Sequence, residues 1–157
     1  MADSMTSVVG KNLKLYYSED YGTPVWAEIK KAINVSHPTI NKTMNSIQSR
    51  EIDWNSAVPG NKAISLQFGY LYEKGDDTVL EDIRDSYLND TVLTFAAMDG
   101  NIATVGSQGW RFPGVVSDMN ETQDLEGNKT INVTVDYVRI RDGGNIVEPD
   151  WYEVASS

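Results

Sequence analysis

The chain has 157 residues, enough for one domain that buries its own core. Its 23 acidic against 13 basic residues give a net charge of −10, which argues against a surface that grips nucleic acid through clustered Lys and Arg. The absence of cysteine removes disulfide frameworks, thiol nucleophiles and cysteine metal sites together, and no apolar run approaches the ~20 residues that span a membrane.

Residues 1–10 read as an N-terminal arm. The opening MADSMTSVVGK has neither a basic n-region nor an apolar h-region, so no secretion signal is expected. Residues 12–18 alternate with Leu13, Leu15 and Tyr17 on one face, and residues 25–29 return after a turn at 19–24; the two predict a hairpin. Residues 37–62 are the least regular part. The alternation of REIDW at 50–54 allows weak strands, but the economical reading is one long excursion. Loops beyond about 12–15 residues in compact domains are usually functional or disordered, and Ile47, Ile52 and Trp54 in this polar context imply that the excursion orders by docking against something.

Residues 63–73 form the strongest predicted strand, with Ile64, Leu66, Phe68, Tyr70 and Tyr72 on one side and Ser65, Gln67 and Gly69 on the other. A helix is predicted over 77–89, since Val79, Leu80, Ile83, Tyr87 and Leu88 recur at three-and-four spacing. Thr78 with Glu81 reads as a capping box, Asp76 and Asp77 suit the positive end of the helix dipole, and Asn89-Asp90 is the stop. Residues 91–98 follow as a strand with Leu93, Phe95 and Ala97 on one side. After a glycine-rich loop at 100–109, residues 110–116 form a strand interrupted by Pro113-Gly114, which suggests an edge or a bulge.

Residues 117–124 and 130–137 then predict a hairpin about LEGNK. Met119, Ile131, Val133, Val135 and Tyr137 share one face, spoiled by Ser117 and Glu121. Asp118, Asn120, Thr122, Asp124, Thr130, Asn132, Thr134 and Asp136 share the other, with no base and no large apolar group. Residues 142–157, after a glycine break, read as a C-terminal arm carrying Trp151 and Tyr152. Strands in this number around one helix predict a mainly β domain over 11–141: an antiparallel β-sandwich or half-barrel with one flanking α-helix.

Catalytic chemistry has little to stand on. The lone histidine, His37, precedes Pro38 and has no second histidine or cysteine to join it. No serine sits in a nucleophile elbow, and Gly106–Gly109 lacks the pattern of a phosphate loop. Glu81 and Asp85 lie one helical turn apart, but a solvated face with a capping residue explains them better than an acid–base pair. Asp99 carries no calcium-loop pattern. Six Asn-x-Ser/Thr sequons, at Asn34, Asn41, Asn89, Asn120, Asn128 and Asn132, read as strand and turn composition. No catalytic residue, metal ligand or cofactor is expected.

The order of elements resembles that of the tail tube proteins of long-tailed bacteriophages. The resemblance rests on the hairpin, the long polar excursion, the strand ending in paired tyrosines, and the helix–strand unit DDTVLEDIRDSYLNDTVLTFAAMDG. It continues through GSQGWRFPGVV, the polar hairpin and the C-terminal PDW, covering about residues 11–154. It implies six copies closing a ring whose inner sheets join into a barrel, with rings stacking into a tube that passes DNA during ejection. It implies a virion location after assembly in the host cytoplasm. The implied partners are further copies of the chain, a tail-tip or baseplate initiator, a tape measure protein, a tail terminator and, in a contractile tail, a sheath protein, with no membrane. In such a tube Asp118, Asn120, Thr122, Thr130, Asn132, Thr134 and Asp136 are expected to line the lumen. Ile47, Ile52, Trp54 and Trp151 are expected between subunits or rings, with 37–62 as the inter-subunit loop. The inner tube of a contractile injection or type VI secretion-like system fits the same pattern. From other classes, a carbohydrate-binding β-sandwich is suggested by four tryptophans and eight tyrosines, and a capsid decoration or connector protein and a small acidic hydrolase complete the alternatives.

Overall fold

The computed structural model describes residues 13–33, 38–48, 50–51, 53–72, 77–123 and 129–155, with Thr122 and Gln123 described by their backbone alone. The predicted first hairpin is present: β1 (Lys14–Ser18) pairs antiparallel with β2 (Ala27–Glu28), Tyr16 opposite Glu28. Three residues on, β3 (Ala32–Ile33) pairs with the far end of the sheet instead, opposite Tyr70 and Gly69 of β5 (Ser56–Leu71). Ile29 bridges the two ends. Its N–H donates to the Leu15 carbonyl at 2.8 Å, and its own side chain is buried.

The remaining elements are β4 (Thr39–Ile47), α1 (Thr78–Asn89), β6 (Leu93–Met98), β7 (Gln108–Gln123), β8 (Lys129–Tyr137), a small ribbon β9 (Arg141–Asp142) with β10 (Asn145–Ile146), and β11 (Asp150–Glu153). The main sheet runs β2-β1-β6-β7-β8-β5-β3, with β4 on β5 and β11 on β7. Because three residues connect β2 to β3, the first and last strands of this path are brought together and the sheet curls on itself. Leu15, Phe95, Phe112, Val116, Val133, Val135, Leu66, Phe68 and Tyr70, drawn from five strands, therefore share one core with Leu80 and Ile83 of the helix. This is the predicted mainly β, antiparallel sandwich or half-barrel with one helix.

The helix docks through a narrower stripe than its apolar spacing suggests. Leu80, Ile83 and Ser86 are buried, while Tyr87 and Leu88 are exposed. Ser86 ties the last turn to the sheet: its Oγ accepts from the Val116 N–H at 3.1 Å and donates to the Thr91 carbonyl at 2.7 Å. The cap also lies one residue earlier than the capping-box reading. Asp77 is the N-cap, its carboxylate accepting from the Leu80 N–H at 3.2 Å, and Asp90 ends the helix at φ 57°.

Three strand expectations need correction. The stretch 37–62 is not one irregular excursion: β4 pairs along the first half of β5 in a long hairpin, and Arg50, Glu51, Asp53 and Trp54 lie at its turn. β7 is not interrupted at Pro113-Gly114; Pro113 stands opposite Thr94 and Gly114 opposite Leu93 and Tyr137. The irregularity falls three residues later, where Val116 pairs with Val135 but Asp118 with Thr134. Ser117 is the extra residue of this bulge, which is how Val116 and Met119 reach the same core despite their odd separation. Finally, β11 lies within the stretch read as a C-terminal arm yet pairs with residues 108–111 of β7. It helps cover a second small core of Tyr16, Ala96 and Met98, against which Trp26, Ile102, Tyr152 and Val154 pack. β6 is consequently buried on both faces, where sequence alternation predicted one.

Candidate functional site

The seven residues predicted to line a channel are brought together by the β7–β8 ladder. Asp118 stands opposite Thr134, Asn120 opposite Asn132 and Thr122 opposite Thr130. On the other side of β8, Asp136, Thr134 and Asn132 face Ser65, Gln67 and Gly69 of β5. The polar face thus extends over three strands, and Ser65 and Gln67 are members that the hairpin alone did not reveal. Asp118, Asn120, Asn132, Asp136 and Gln67 are exposed, Thr130, Thr134 and Ser65 half-buried. Asn120 Nδ2 donates to Asp118 Oδ2 at 2.9 Å, and the Ser117 hydroxyl donates to the Thr134 carbonyl at 3.3 Å. The rows hold short neutral and acidic groups and neither lysine nor arginine. The other face carries Ile131, Val133 and Val135 into the core, at ~1.5–3 kcal/mol per buried side chain, and so holds the polar rows outward. Glu121 does not interrupt that core; it sits near the hairpin end and pairs with Lys129 at 2.9 Å.

The β4–β5 hairpin is the second surface. Every residue of β4 is exposed, including Ile40, Met44 and Ile47, and Trp54 at the turn is 81% exposed. Ile52 lies outside the described residues. Trp151 belongs elsewhere: half exposed on β11, it meets Trp110 edge-to-face at 5.7 Å and donates through Nε1 to Gln108 Oε1 at 2.8 Å. Beside it, Arg111 is ion-paired with Asp150 at 2.7 Å and lies over the rings of Tyr21 and Tyr152. Burial opposes the guanidinium charge, but Asp150 outweighs it and raises the Arg111 pKa. Trp110, Trp151, Ile47 and Trp54 are therefore not one cluster.

Other titratable groups have structural duties. Asp85 does not converge with Glu81; it accepts from Asn89 at 2.5 Å and Thr91 at 2.9 Å across the helix stop, Asn89 chiefly holding its pKa low. His37 lies outside the described residues, and among those described no group of three His, Asp or Glu could hold a metal ion. Tyr17 donates to Asp82 at 2.6 Å, and burial with that bond pushes its pKa up.

Asp77 is the hub that joins helix to sheet. It receives Tyr70 Oη at 2.6 Å and Lys31 Nζ at 3.2 Å besides the Leu80 N–H. Burial alone would raise its pKa, but these donors outweigh it and lower it from 3.8. A depressed carboxyl adds stability that is present above the unfolded value and lost as pH falls through the folded one. Asparagine caps a helix as well as aspartate, so the cost of Asp77→Asn lies in the weakened Lys31 and Tyr70 bonds and should be about 1–2 kcal/mol at neutral pH. The substitution should also flatten the loss of stability below pH 3.8 in urea titrations followed by circular dichroism. An unchanged acid limb would show that another carboxylate controls it.

No protein-family model matches the sequence, and no curated protein matches it. The fold does have counterparts among solved structures. A chain from the tail of an empty gene transfer agent particle, solved with C6 symmetry, superposes with a TM-score of 0.67 at 14% identity, covering 84% of this chain and 95% of that one. The SPP1 tail tube protein gives 0.63 at 13% identity, covering 96% and 81% respectively. A chain of the anti-feeding prophage baseplate gives 0.60 at 8% identity, covering 98% and 99%. The fold described above is thus shared with subunits of tails, a tail tube and a baseplate: this chain has the tail tube fold.

Proposed function

We propose that this chain is a structural subunit of a phage-type tail tube, polymerising as stacked, six-membered rings around a channel for DNA. The observation that carries this reading is the match of nearly the whole chain to tail and tail tube subunits, one of them in a tail of C6 symmetry. The geometry supports it. Residues 118–123 of β7 pair on one side with β8 and lie beyond the reach of β6, whose ladder ends at Gly114. A strand edge of this kind is a liability in a monomer and a joint in an assembly. A head-to-tail contact that closes gives a ring.

In this reading Asp118, Asn120, Thr122, Thr130, Asn132 and Thr134 line the channel; Asp136, expected there by alternation, stands opposite Val115 and borders the groove between α1 and β7, so it sits at the channel margin with Ser65 and Gln67. They offer phosphates no base to hold, so DNA slides. Ile47, Ile52 and Trp54 of the hairpin and Trp151 of β11 contact neighbouring subunits or rings. The implied partners are an initiator at the tip or baseplate, a tape measure, a terminator and a sheath where the tail contracts, with assembly in the host cytoplasm. The match to an anti-feeding prophage baseplate chain favours a second reading, the inner tube of a contractile injection system. Negative-stain microscopy of the concentrated protein should show rings or tubes. A strictly monomeric species at high concentration, also with initiator proteins present, overturns the proposal.

A further inference from the structure

Two features of the molecule have no explanation within a single copy. The first is in the hairpin, where Lys42 stands directly opposite Lys62. Like charges facing each other across a ladder destabilise it, and neither lysine has an acidic partner among the described residues. They are the only charged residues of 39–47 and 56–64. Those strands thus carry +2 and the rest of the chain −12, from −10 − (+2). The register shift between Lys42 and Met44 places its extra residue on β5, where residues 60 and 61 oppose 43, so β4 keeps its alternation and Lys42 shares a face with Ile40 and Met44, both about half exposed. The hairpin presents an apolar strip bearing two uncompensated positive charges.

The second feature is a groove of about 580 Å³ between the last turn of α1 and the edge of β7, lined by Tyr87, Leu88, Asp90, Val115, Asp136 and Val138 among others. Tyr87 and Leu88 are 44% and 66% exposed, although they extend the apolar spacing of the helix. Two carboxylates stand at this apolar floor, and no base lines it among the described residues.

We infer that the hairpin strip of one copy seats in the α1–β7 groove of the next, Lys42 and Lys62 meeting Asp90 and Asp136 while Ile40 and Met44 cover Tyr87 and Leu88. The occupant is a second copy because apolar matches apolar and two positive charges match two negative ones. Both halves are carried by every copy, so the contact is heterologous and repeats around a ring. The charges set register and reject wrong docking, since misplaced lysines would meet apolar surface or each other. This inference names the contact within the tail tube reading and rests on it.

A charge swap tests it. Lys42→Glu/Lys62→Glu and Asp90→Lys/Asp136→Lys should each stay folded by circular dichroism, yet each alone should lose about tenfold or more of its assembled fraction in sedimentation, because like charges then meet at every contact. Mixed in equal amounts, the two should assemble again, since a copy of one beside a copy of the other satisfies both contacts. Normal assembly of either variant alone, or failure of the folded mixture, overturns the contact while leaving the tube reading intact. Failure of the unaltered chain to assemble under the same conditions overturns the tube reading and this inference with it.

Discussion

Replacing Gly109 with alanine is expected to disrupt the sheet where β6, β7 and β11 meet. A Cβ built there lies 1.8 Å from the Ala97 carbonyl oxygen and 2.9 Å from the Met98 Cα, backbone atoms of β6 that no side-chain rearrangement can move aside. β6 is buried on both faces, so retreat of its backbone would open both the main core and the smaller one under Tyr152. The cost should exceed the ~1–3 kcal/mol of ordinary overpacking, lowering the thermal midpoint by roughly 6–12 °C or preventing folding. Gly106→Ala is the control. Its φ is +94° but the space beside it is open, so only the strain of the left-handed conformation, about 1–2 kcal/mol, should appear. Equal midpoint shifts in the two variants would show that β6 and β7 do not approach as closely as described.

The second large effect concerns the polar face. Asp118→Lys with Asn120→Lys should leave the fold within about 0.5 kcal/mol, since both side chains are exposed and bond mainly to each other. In a tube these variants put about twelve lysines into each six-membered ring, where phosphates pass. DNA should then co-sediment with the tubes in proportion to falling salt, and release from assembled particles should slow. Unchanged release and no DNA binding, with tubes intact, would place this face on the outside of the tube and remove the lumen assignment. The tube reading itself would stand, because it rests on the fold and not on which face looks inward.

The sequence by itself determined the elements whose two sides meet different media. Ile131, Val133 and Val135 alternate with Asn132, Thr134 and Asp136 because one face of β8 meets the core and the other meets water; the same holds for 64–70. Leu80 and Ile83 marked the helix for the same reason, and the order of these elements was enough to point to the tail tube fold that the structural counterparts share. Where both sides of a strand meet one medium, periodicity says nothing. β4 and the start of β5 are exposed on both faces and read as an irregular excursion; β6 is buried on both and read as half-buried.

Tertiary structure alone decided the rest. The cap fell to Asp77 because Tyr70 and Lys31, from the sheet and the β2–β3 link, converge on its carboxylate, while Thr78 has the right local spacing but no such company. The bulge fell at Ser117 and not at Pro113-Gly114. Gly114 is held in a continuous strand where an added Cβ would lie 2.7 Å from the Asp136 carbonyl oxygen, a contact that exists only once β8 is in place. Tyr87 and Leu88 carry the helix spacing of buried residues yet are exposed, because the Ser86 bond to Val116 fixes the roll of α1 and turns them away from the core. Spacing records which residues share a face. Which face finds a partner depends on elements distant in the chain, and no local pattern encodes that.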